Sequence, residues 1–170
     1  IVHSDQGDLA FQHYFVREGC GPKVSGFSFD GIANAKLNPL IREWLADCDG
    51  VIICPSNPFV SVDPLLHLDG FGEALKSLPV IAVSPIVGGI AIKGPAAKMM
   101  QELNMPATAL AVADHYQGLI DGFVVDQTDA ALVEQFNVPT ISTPSVMVTL
   151  QDRIDLARTC VSFLASLSSN

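Results

Sequence analysis

The sequence VIICPSNPFVSVDP, residues 51 to 64, decides the fold. Its first four residues, Val51 to Cys54, are apolar and mostly β-branched, a pattern that predicts a strand buried on both faces. Pro55 ends the strand. The loop beyond it lies among further prolines and carries three small polar side chains, those of Ser56, Asn57 and Ser61. The stretch therefore predicts a buried parallel strand that opens into a stiff polar loop.

The same order of features returns one predicted helix later. The apolar run Val80–Val83 ends in Ser84-Pro85, turns through Gly88-Gly89 and reaches Lys93-Gly94 before another helical pattern. Ligands of open α/β sheets bind beyond the carboxyl ends of the strands. We therefore expect Ser56, Ser84 and Gly88 to lie in one crevice.

Strands and helices alternate across residues 38–170, which predicts a three-layer α/β fold, a mostly parallel sheet with helices on both faces. Further strands are predicted at Phe123–Val125 and Val138–Ile141. The residues predicted to cap helices are Asn38, Asp69, Thr108, Asp129 and Thr149. The last helix is predicted to bury the stripe Leu150, Ile154, Ala157, Val161 and Leu164. Residues 1–30 read as an irregular, aromatic-rich β segment, and residues 1–170 as one domain.

Composition and charge exclude several classes of function. Nine basic residues stand against eighteen acidic ones, for a net charge of −9, so the chain lacks the basic surface that nucleic acids require. No apolar run approaches the roughly 20 residues of a membrane span. The four cysteines have no metal-ligand spacing, and Cys54 in a predicted strand and Cys160 on a predicted helix indicate buried free thiols in a reducing cytoplasm.

The polar loop residues admit two interpretations. Ser56, Asn57 and Ser61 either bind a ligand or only cap the loop backbone, as serine and asparagine often do. Gly88-Gly89 is either a plain tight turn or a place for close backbone approach. Asp126, at the carboxyl end of a predicted strand, is the one carboxylate expected near the crevice. The aromatic residues around Gln12 form either a small core of their own or a wall for a planar ligand.

Four motifs carry a resemblance to a known family. SNPFVS at 56–61 and SPIVGGIAIKGP at 84–95, with FQHYFV at 11–16 and DGFVVD at 121–126, closely resemble the 2-phospho-L-lactate transferase family of coenzyme F-420 biosynthesis. The resemblance runs over nearly the whole chain and implies a Rossmann-like fold. It also implies transfer of a phospholactyl-type group from a guanosine-diphosphate-activated donor to the deazaflavin alcohol, with release of GMP and help from magnesium.

The resemblance also assigns roles to residues. Ser56, Asn57 and Ser61 would hold the transferred phosphate as the catalytic set, and Gln12 would contact the deazaflavin. The remaining phosphate- or substrate-binding positions would be Pro58, Ser84, Gly88, Gly89, Lys93, Gly94 and Asp126. Two positions depart from the family pattern, because Asp63 replaces a usual glycine and Ile90 a usual basic residue.

The family's glycine-rich nucleotide loop and acidic magnesium motif have no counterpart in residues 1–170. We therefore interpret the chain as a carboxyl-terminal part of the family pattern, with metal ligands upstream, no turnover alone and a homodimer expected. Two alternatives stay open. One is a non-catalytic, nucleotide-sugar-binding regulator of the related gluconeogenesis-factor family, and the other is an inactive folded fragment. The SNP and SPIVGG loops favour the transferase.

Overall fold

The computed structural model describes residues 1–167. Three short strands open the chain, and they form an antiparallel sheet of order β2-β1-β3. Their bounds are Val2–Ser4 for β1, Gly7–Leu9 for β2 and Val24–Phe27 for β3. A single π-type turn, His13–Arg17, lies between β2 and β3. The aromatic amino-terminal segment is therefore a small sheet rather than a lone ribbon.

A four-stranded parallel sheet forms the centre of the molecule. Its strands are Val51–Ile53 (β4), Val80–Val83 (β5), Gly122–Asp126 (β8) and Thr140–Thr143 (β9), in the order β4-β5-β8-β9. Between β5 and β8 the chain forms an antiparallel hairpin from Ile86–Val87 (β6) and Ile90–Ala91 (β7). All four parallel strands thus present their carboxyl ends at the same edge.

In the described part of the chain, six α-helices connect and cover these strands. They are Pro39–Ala46 (α1), Asp63–Leu66 (α2), Phe71–Leu75 (α3), Ala96–Glu102 (α4), Ala109–His115 (α5) and Leu150–Leu167 (α6). A π-type turn at Pro58–Val62 and 3₁₀ turns at Ile32–Asn34 and Gln127–Gln135 complete the described elements. Among residues 1–167, no helix is both long and apolar enough to cross a membrane.

Alternate residues of the parallel sheet pack into two separate apolar layers. Val80 and Ala82 face a large cluster that includes Met99 and Val112 of α4 and α5. Ile81 and Val83 face a smaller cluster built with α6. Because side chains of a strand alternate between its two faces, both faces are covered. This confirms the predicted α/β, Rossmann-like architecture.

Strand β4 differs from the prediction of full burial. Within residues 1–167 it bonds only to β5, so it is an edge strand, and Val51, Ile52 and Ile53 are each only half-buried. Cys54, which was predicted to be buried in this strand, lies beyond its end and is exposed. The neighbouring helix α1 likewise buries no residue fully, and Trp44 is 66% exposed. An apolar run indicates that a strand is suited to burial, but the number of its neighbours is decided by the rest of the sheet.

The buried stripe of α6 is also different from the predicted one. Leu156, Cys160 and Leu164 are buried against the sheet, whereas Leu150 and Val161 are exposed. The prediction is confirmed for Leu164, and Ile154 is half-buried, but it is wrong for Leu150, Ala157 and Val161, which are exposed, and it missed Leu156 and Cys160. Two glycines that face α6, Gly50 and Gly122, have no side chain and leave room for the side chains of this helix. A Cβ on Gly122 would lie 2.8 Å from Phe163 Cζ, and one on Gly50 would lie 2.8 Å from Leu164 Cδ2.

Local capping chemistry was predicted with mixed success. The side chains of Asn38 and Thr108 accept backbone N–H bonds at the start of α1 and α5, and Thr149 accepts from the N–H of Asp152 at the start of α6. The prediction is wrong for Asp69, because α3 begins after Gly70 without a side-chain cap. It is also wrong for Asp129: the turn Gln127–Gln135 is 3₁₀ and is capped by Asp126. The fourth parallel strand begins at Thr140, two residues later than predicted.

The amino-terminal sheet has no core of its own. Val2, Tyr14 and Val24 are fully buried in the same cluster as the residues of α4 and α5. The ring of Phe27 stacks on that of Phe59, with centroids 5.5 Å apart. Tyr14 and Phe27 therefore join the amino-terminal sheet to the rest of the core, and contact of the aromatic residues near Gln12 with a planar ligand stays a prediction.

Candidate functional site

A cavity of about 330 Å³ lies at the carboxyl edge of the parallel sheet. The loops that follow β4, β5 and β9 and the first turn of α6 contribute to its wall. The residues that line it are Pro55, Asn57, Ser84, Pro85, Val87, Ile92, Lys93, Ser145, Met147 and Arg153. The placement follows from topology, since parallel strands bring the loops after their carboxyl ends together.

The structure brings only part of the predicted crevice together. Asn57, Ser84 and Lys93 line the cavity. Ser56 and Ser61 line a second groove of about 220 Å³ beside β4, whose wall is mainly apolar. Gln12 is exposed near the amino-terminal sheet and is not among the residues that line the cavity. Which of these residues touch a ligand remains a prediction.

Asn57 has a clear role in shaping its loop. Its Oδ1 accepts the N–H of Phe59 at 3.0 Å and of Val60 at 3.4 Å, which starts the turn at the buried Pro58. Its Nδ2 donates to the sulfur of Met99 at 3.2 Å. A thioether is a weak acceptor, and the amide carries a second N–H. Asn57 therefore keeps one donor for the cavity.

Ser84 is 2% exposed and closes its own turn. Its hydroxyl donates to the carbonyl of Ile86 at 2.8 Å and accepts the N–H of the same residue at 3.1 Å. A hydroxyl has one proton to donate. Since that proton is used, Ser84 presents no free donor to an anion in this conformation.

Gly88 and Gly89 form the two-residue turn between β6 and β7. Both have positive φ, +56° and +80°, as a type I′ hairpin turn requires. The N–H of Gly88 donates to Asp129 Oδ2 at 3.0 Å, so the hairpin is tied to the loop after β8. The chain then returns through β7 to Lys93 and to Gly94, whose φ of +69° is also positive.

Asp126 organises the loops instead of facing the cavity as a free carboxylate. One oxygen accepts the N–H and hydroxyl of Thr128, at 2.9 and 2.7 Å, and the other accepts those of Ser145, at 2.8 and 3.1 Å. Burial raises the pKa of this carboxyl, but the four hydrogen bonds outweigh it and hold the pKa below its ordinary value. Asp126 thus places Ser145 in the cavity wall.

Asp63, one of the two departures from the family pattern, is engaged by a histidine. Its Oδ1 lies 2.8 Å from Nε2 of His115, and both side chains are largely buried. The His115 ring packs edge-on against Phe59 and Tyr116. The carboxylate is therefore directed at α5. At the second departure, Ile90 is exposed on the hairpin, 62% accessible.

Two residues that sequence reasoning missed are Ser145 and Arg153. Neither belongs to a recognisable motif, and Arg153 reads as an ordinary charged residue in the first turn of a helix. Both residues line the cavity only because the fold brings the loop after β9 and the start of α6 next to the loops after β4 and β5, which no local sequence pattern indicates. Within residues 1–167, no group of three or more His, Cys, Asp or Glu side chains could hold a metal ion.

The fold and cavity define an α/β protein with a small polar site at the carboxyl edge of a parallel sheet. The family model described as 2-phospho-L-lactate transferase CofD matches residues 1–152, and the chain belongs to that family. It is 35% identical to the 2-phospho-L-lactate transferase of Methanococcoides burtonii over 98% of this chain and 56% of the relative. The transferase of Methanosarcina acetivorans is 38% identical over 76% of this chain and 42% of its own length.

The transferase of Methanocaldococcus jannaschii is 32% identical over 94% of this chain and 51% of its own length. The chain thus spans about half the length of the curated relatives it matches. The family resemblance read from the four motifs is confirmed.

Proposed function

We propose that this chain takes part in the transfer of a 2-phospho-L-lactate group from a guanosine-diphosphate-activated donor to the deazaflavin alcohol of coenzyme F-420 biosynthesis. In this reaction the terminal hydroxyl oxygen of the deazaflavin forms a bond to the phosphorus attached to lactate. The bond from that phosphorus to the bridging oxygen breaks, GMP leaves, and the hydroxyl proton passes to solvent. The proposal rests on membership in the family and on the cavity's position at the sheet edge.

The protein's contribution would be positioning and charge stabilisation. Lys93 and the free N–H of Asn57 would face the phosphoryl oxygens, because they are among the donors of the wall that the protein does not use itself. Groups of this kind accelerate transfer by holding reactants in place and by stabilising developing charge. The proposed roles of Ser56, Ser61 and Gln12 would require approach of the ligand from the neighbouring surfaces.

Magnesium is part of this proposal and would supply positive charge for the phosphoryl oxygens. The described residues offer no three-ligand group, so a metal ion would have to be held by groups outside residues 1–167 or by the ligand phosphates. A reducing, cytoplasmic setting fits the four free cysteines. The proposed homodimer is testable by sedimentation of the purified chain.

The test is GMP release from the activated phospholactate donor in the presence of deazaflavin alcohol and magnesium. We compare residues 1–170 with a fusion that adds the amino-terminal part of the Methanococcoides burtonii relative. We expect the fusion to release GMP orders of magnitude faster than residues 1–170 alone, and Lys93→Ala to slow the fusion. Lys76→Ala is the control, because Lys76 is exposed and pairs with Glu73. No donor- and deazaflavin-dependent GMP release by the fusion would overturn the proposal.

A further inference from the structure

The cavity wall carries two cationic side chains, Lys93 and Arg153, and the only charged group that acts on either of them is the neighbouring carboxylate of Asp152, which attracts Arg153 without forming an ion pair, among residues 1–167. Neither Lys93 nor Arg153 forms an ion pair or a hydrogen bond with any residue in the part of the chain that the structure describes. By contrast, Lys76, Lys98 and Arg158 each pair with a carboxylate of their own helix or turn. In a chain of net charge −9, two unpaired cations on one cavity wall are poised for an anionic ligand.

The hydroxyl groups of the wall already donate to other protein groups, so they are not available to an anion. The hydroxyl proton of Ser84 bonds to the carbonyl of Ile86, and that of Ser145 bonds to Asp126. The nearest acids are likewise occupied. Asp126 and Asp129 accept bonds from the surrounding loops, and Asp152 accepts the N–H groups of Val148 and Thr149. Apart from one amide N–H of Asn57, the free side-chain donors of this wall come from Lys93 and Arg153.

The two cations belong to different elements and differ in chemistry. Lys93 follows the β6-β7 hairpin, whereas Arg153 lies in the first turn of α6. A lysine ammonium is a point charge that suits a phosphoryl group, while the planar guanidinium binds a carboxylate through two parallel hydrogen bonds. A volume of about 330 Å³ suits a small molecule or one end of a larger ligand.

We infer that this cavity binds a small acid with two anionic groups, with Lys93 contacting the phosphate and Arg153 recognising the carboxylate of a 2-phospho-hydroxy acid. The inference rests on the proposed function for the identity of the acid. Within that function, Arg153 determines specificity: it distinguishes a phosphorylated hydroxy acid from a phosphate ester that lacks the carboxylate. Asp126 is a positioning residue for the same wall, through Ser145.

The experiment measures direct binding by titration calorimetry, without turnover. Three probes are used: 2-phospho-L-lactate, isopropyl phosphate, in which a methyl group replaces the carboxylate, and L-lactate, which lacks the phosphate. Each is titrated into the wild-type chain and into Arg153→Gln, Arg153→Lys and Lys93→Gln. Arg158→Gln is the matched control, since it removes the same charge from the same helix and Arg158 is exposed outside the cavity.

We expect Arg153→Gln to weaken 2-phospho-L-lactate at least tenfold and isopropyl phosphate less than twofold. Arg153→Lys should recover only part of that loss, Lys93→Gln should weaken both phosphate esters, and Arg158→Gln should change neither. L-lactate should bind more weakly than 2-phospho-L-lactate. Equal loss for both esters in Arg153→Gln, or no binding of 2-phospho-L-lactate by the wild-type chain, would overturn the inference. All variants should keep the wild-type melting temperature, because both side chains are exposed.

The results separate this inference from the proposed function. If the binding pattern holds and the fusion releases no GMP, the transfer proposal fails and the cavity assignment stands. If the fusion releases GMP and Arg153→Gln does not discriminate between the two esters, the assignment of Arg153 fails and the transfer proposal stands.

Discussion

Asp126 accepts hydrogen bonds from Thr128, two residues away, and from Ser145, nineteen residues away, and so joins the loops after β8 and β9. Its side chain is 4% exposed, so the charge is held by protein groups rather than by water. Such a carboxylate stabilises the folded state only while it is ionised. Because its folded-state pKa is lowered, this stabilisation is fully present above the ordinary carboxylate pKa of about 4 and is lost as the pH falls through the lowered value.

We predict that Asp126→Asn lowers the free energy of unfolding at neutral pH by about 1–3 kcal/mol, since an amide cannot accept all four bonds. The variant should also lose less stability than the wild type when the pH falls from about 5 to below about 3. Urea unfolding across this pH range measures both effects. Asp114→Asn, on the exposed surface of α5, is the charge-matched control. Parallel pH curves for Asp126→Asn and the wild type would contradict this prediction.

Residue roles could be predicted from the sequence only where the partner is local. Asn38, Thr108 and Thr149 cap helices because the backbone N–H groups they bind lie two or three residues away. The prediction that Asp129 caps a helix is wrong because this side chain accepts the N–H of Gly88, forty-one residues away. Arg153 was missed for the related reason that an unpaired cation is recognised only after its neighbours are known.

At the scale of elements, α6 carries apolar residues on more than one face, and only one of these faces is buried against the sheet. Leu156 and Cys160 face the sheet, whereas Val161 is 58% exposed. Burial also raises the pKa of the Cys160 thiol to about 11, as does the nearby Cys54. The choice was not visible in the helix itself, because it depends on Gly50 and Gly122 in the partner surface. Strand β5, in contrast, was placed correctly because its complete burial requires no such choice.

We predict that Leu156→Ala lowers the free energy of unfolding by about 2–4 kcal/mol, through lost burial and the cavity it leaves. Val161→Ala, on the same helix, should change it by less than about 0.5 kcal/mol because its side chain is largely in water. Chemical denaturation of both variants measures the difference. Equal destabilisation would mean that the stripe containing Val161 is covered in solution.

At the scale of the whole molecule, the amino-terminal sheet and the parallel sheet are joined across α4. Glu102 Oε2 accepts the N–H of Val24 at 2.9 Å, and its other oxygen lies 2.6 Å from Lys98 Nζ. Lys98 also donates to the carbonyl of Pro22 at 2.9 Å and to the hydroxyl of the buried Tyr14 at 3.4 Å. Sequence patterns predicted both sheets but not this junction, since an acid and a lysine four residues apart on a helix read as an ordinary surface pair.

We predict that Glu102→Ala lowers the free energy of unfolding by about 1–3 kcal/mol, because it leaves the N–H of the buried Val24 without its acceptor and the ammonium of Lys98 without its carboxylate partner. Glu73→Ala is the matched control: it removes a similar helical pair with Lys76 that is fully at the surface, and it should cost about 0–0.5 kcal/mol. Hydrogen exchange then locates the effect. The amides of β1 and β3 should exchange faster in Glu102→Ala while those of β5 and β8 keep their protection relative to global unfolding. If Glu102→Ala and Glu73→Ala behave alike, the two sheets are held together by the shared apolar core alone, through Val2, Val24 and the Phe27–Phe59 stack.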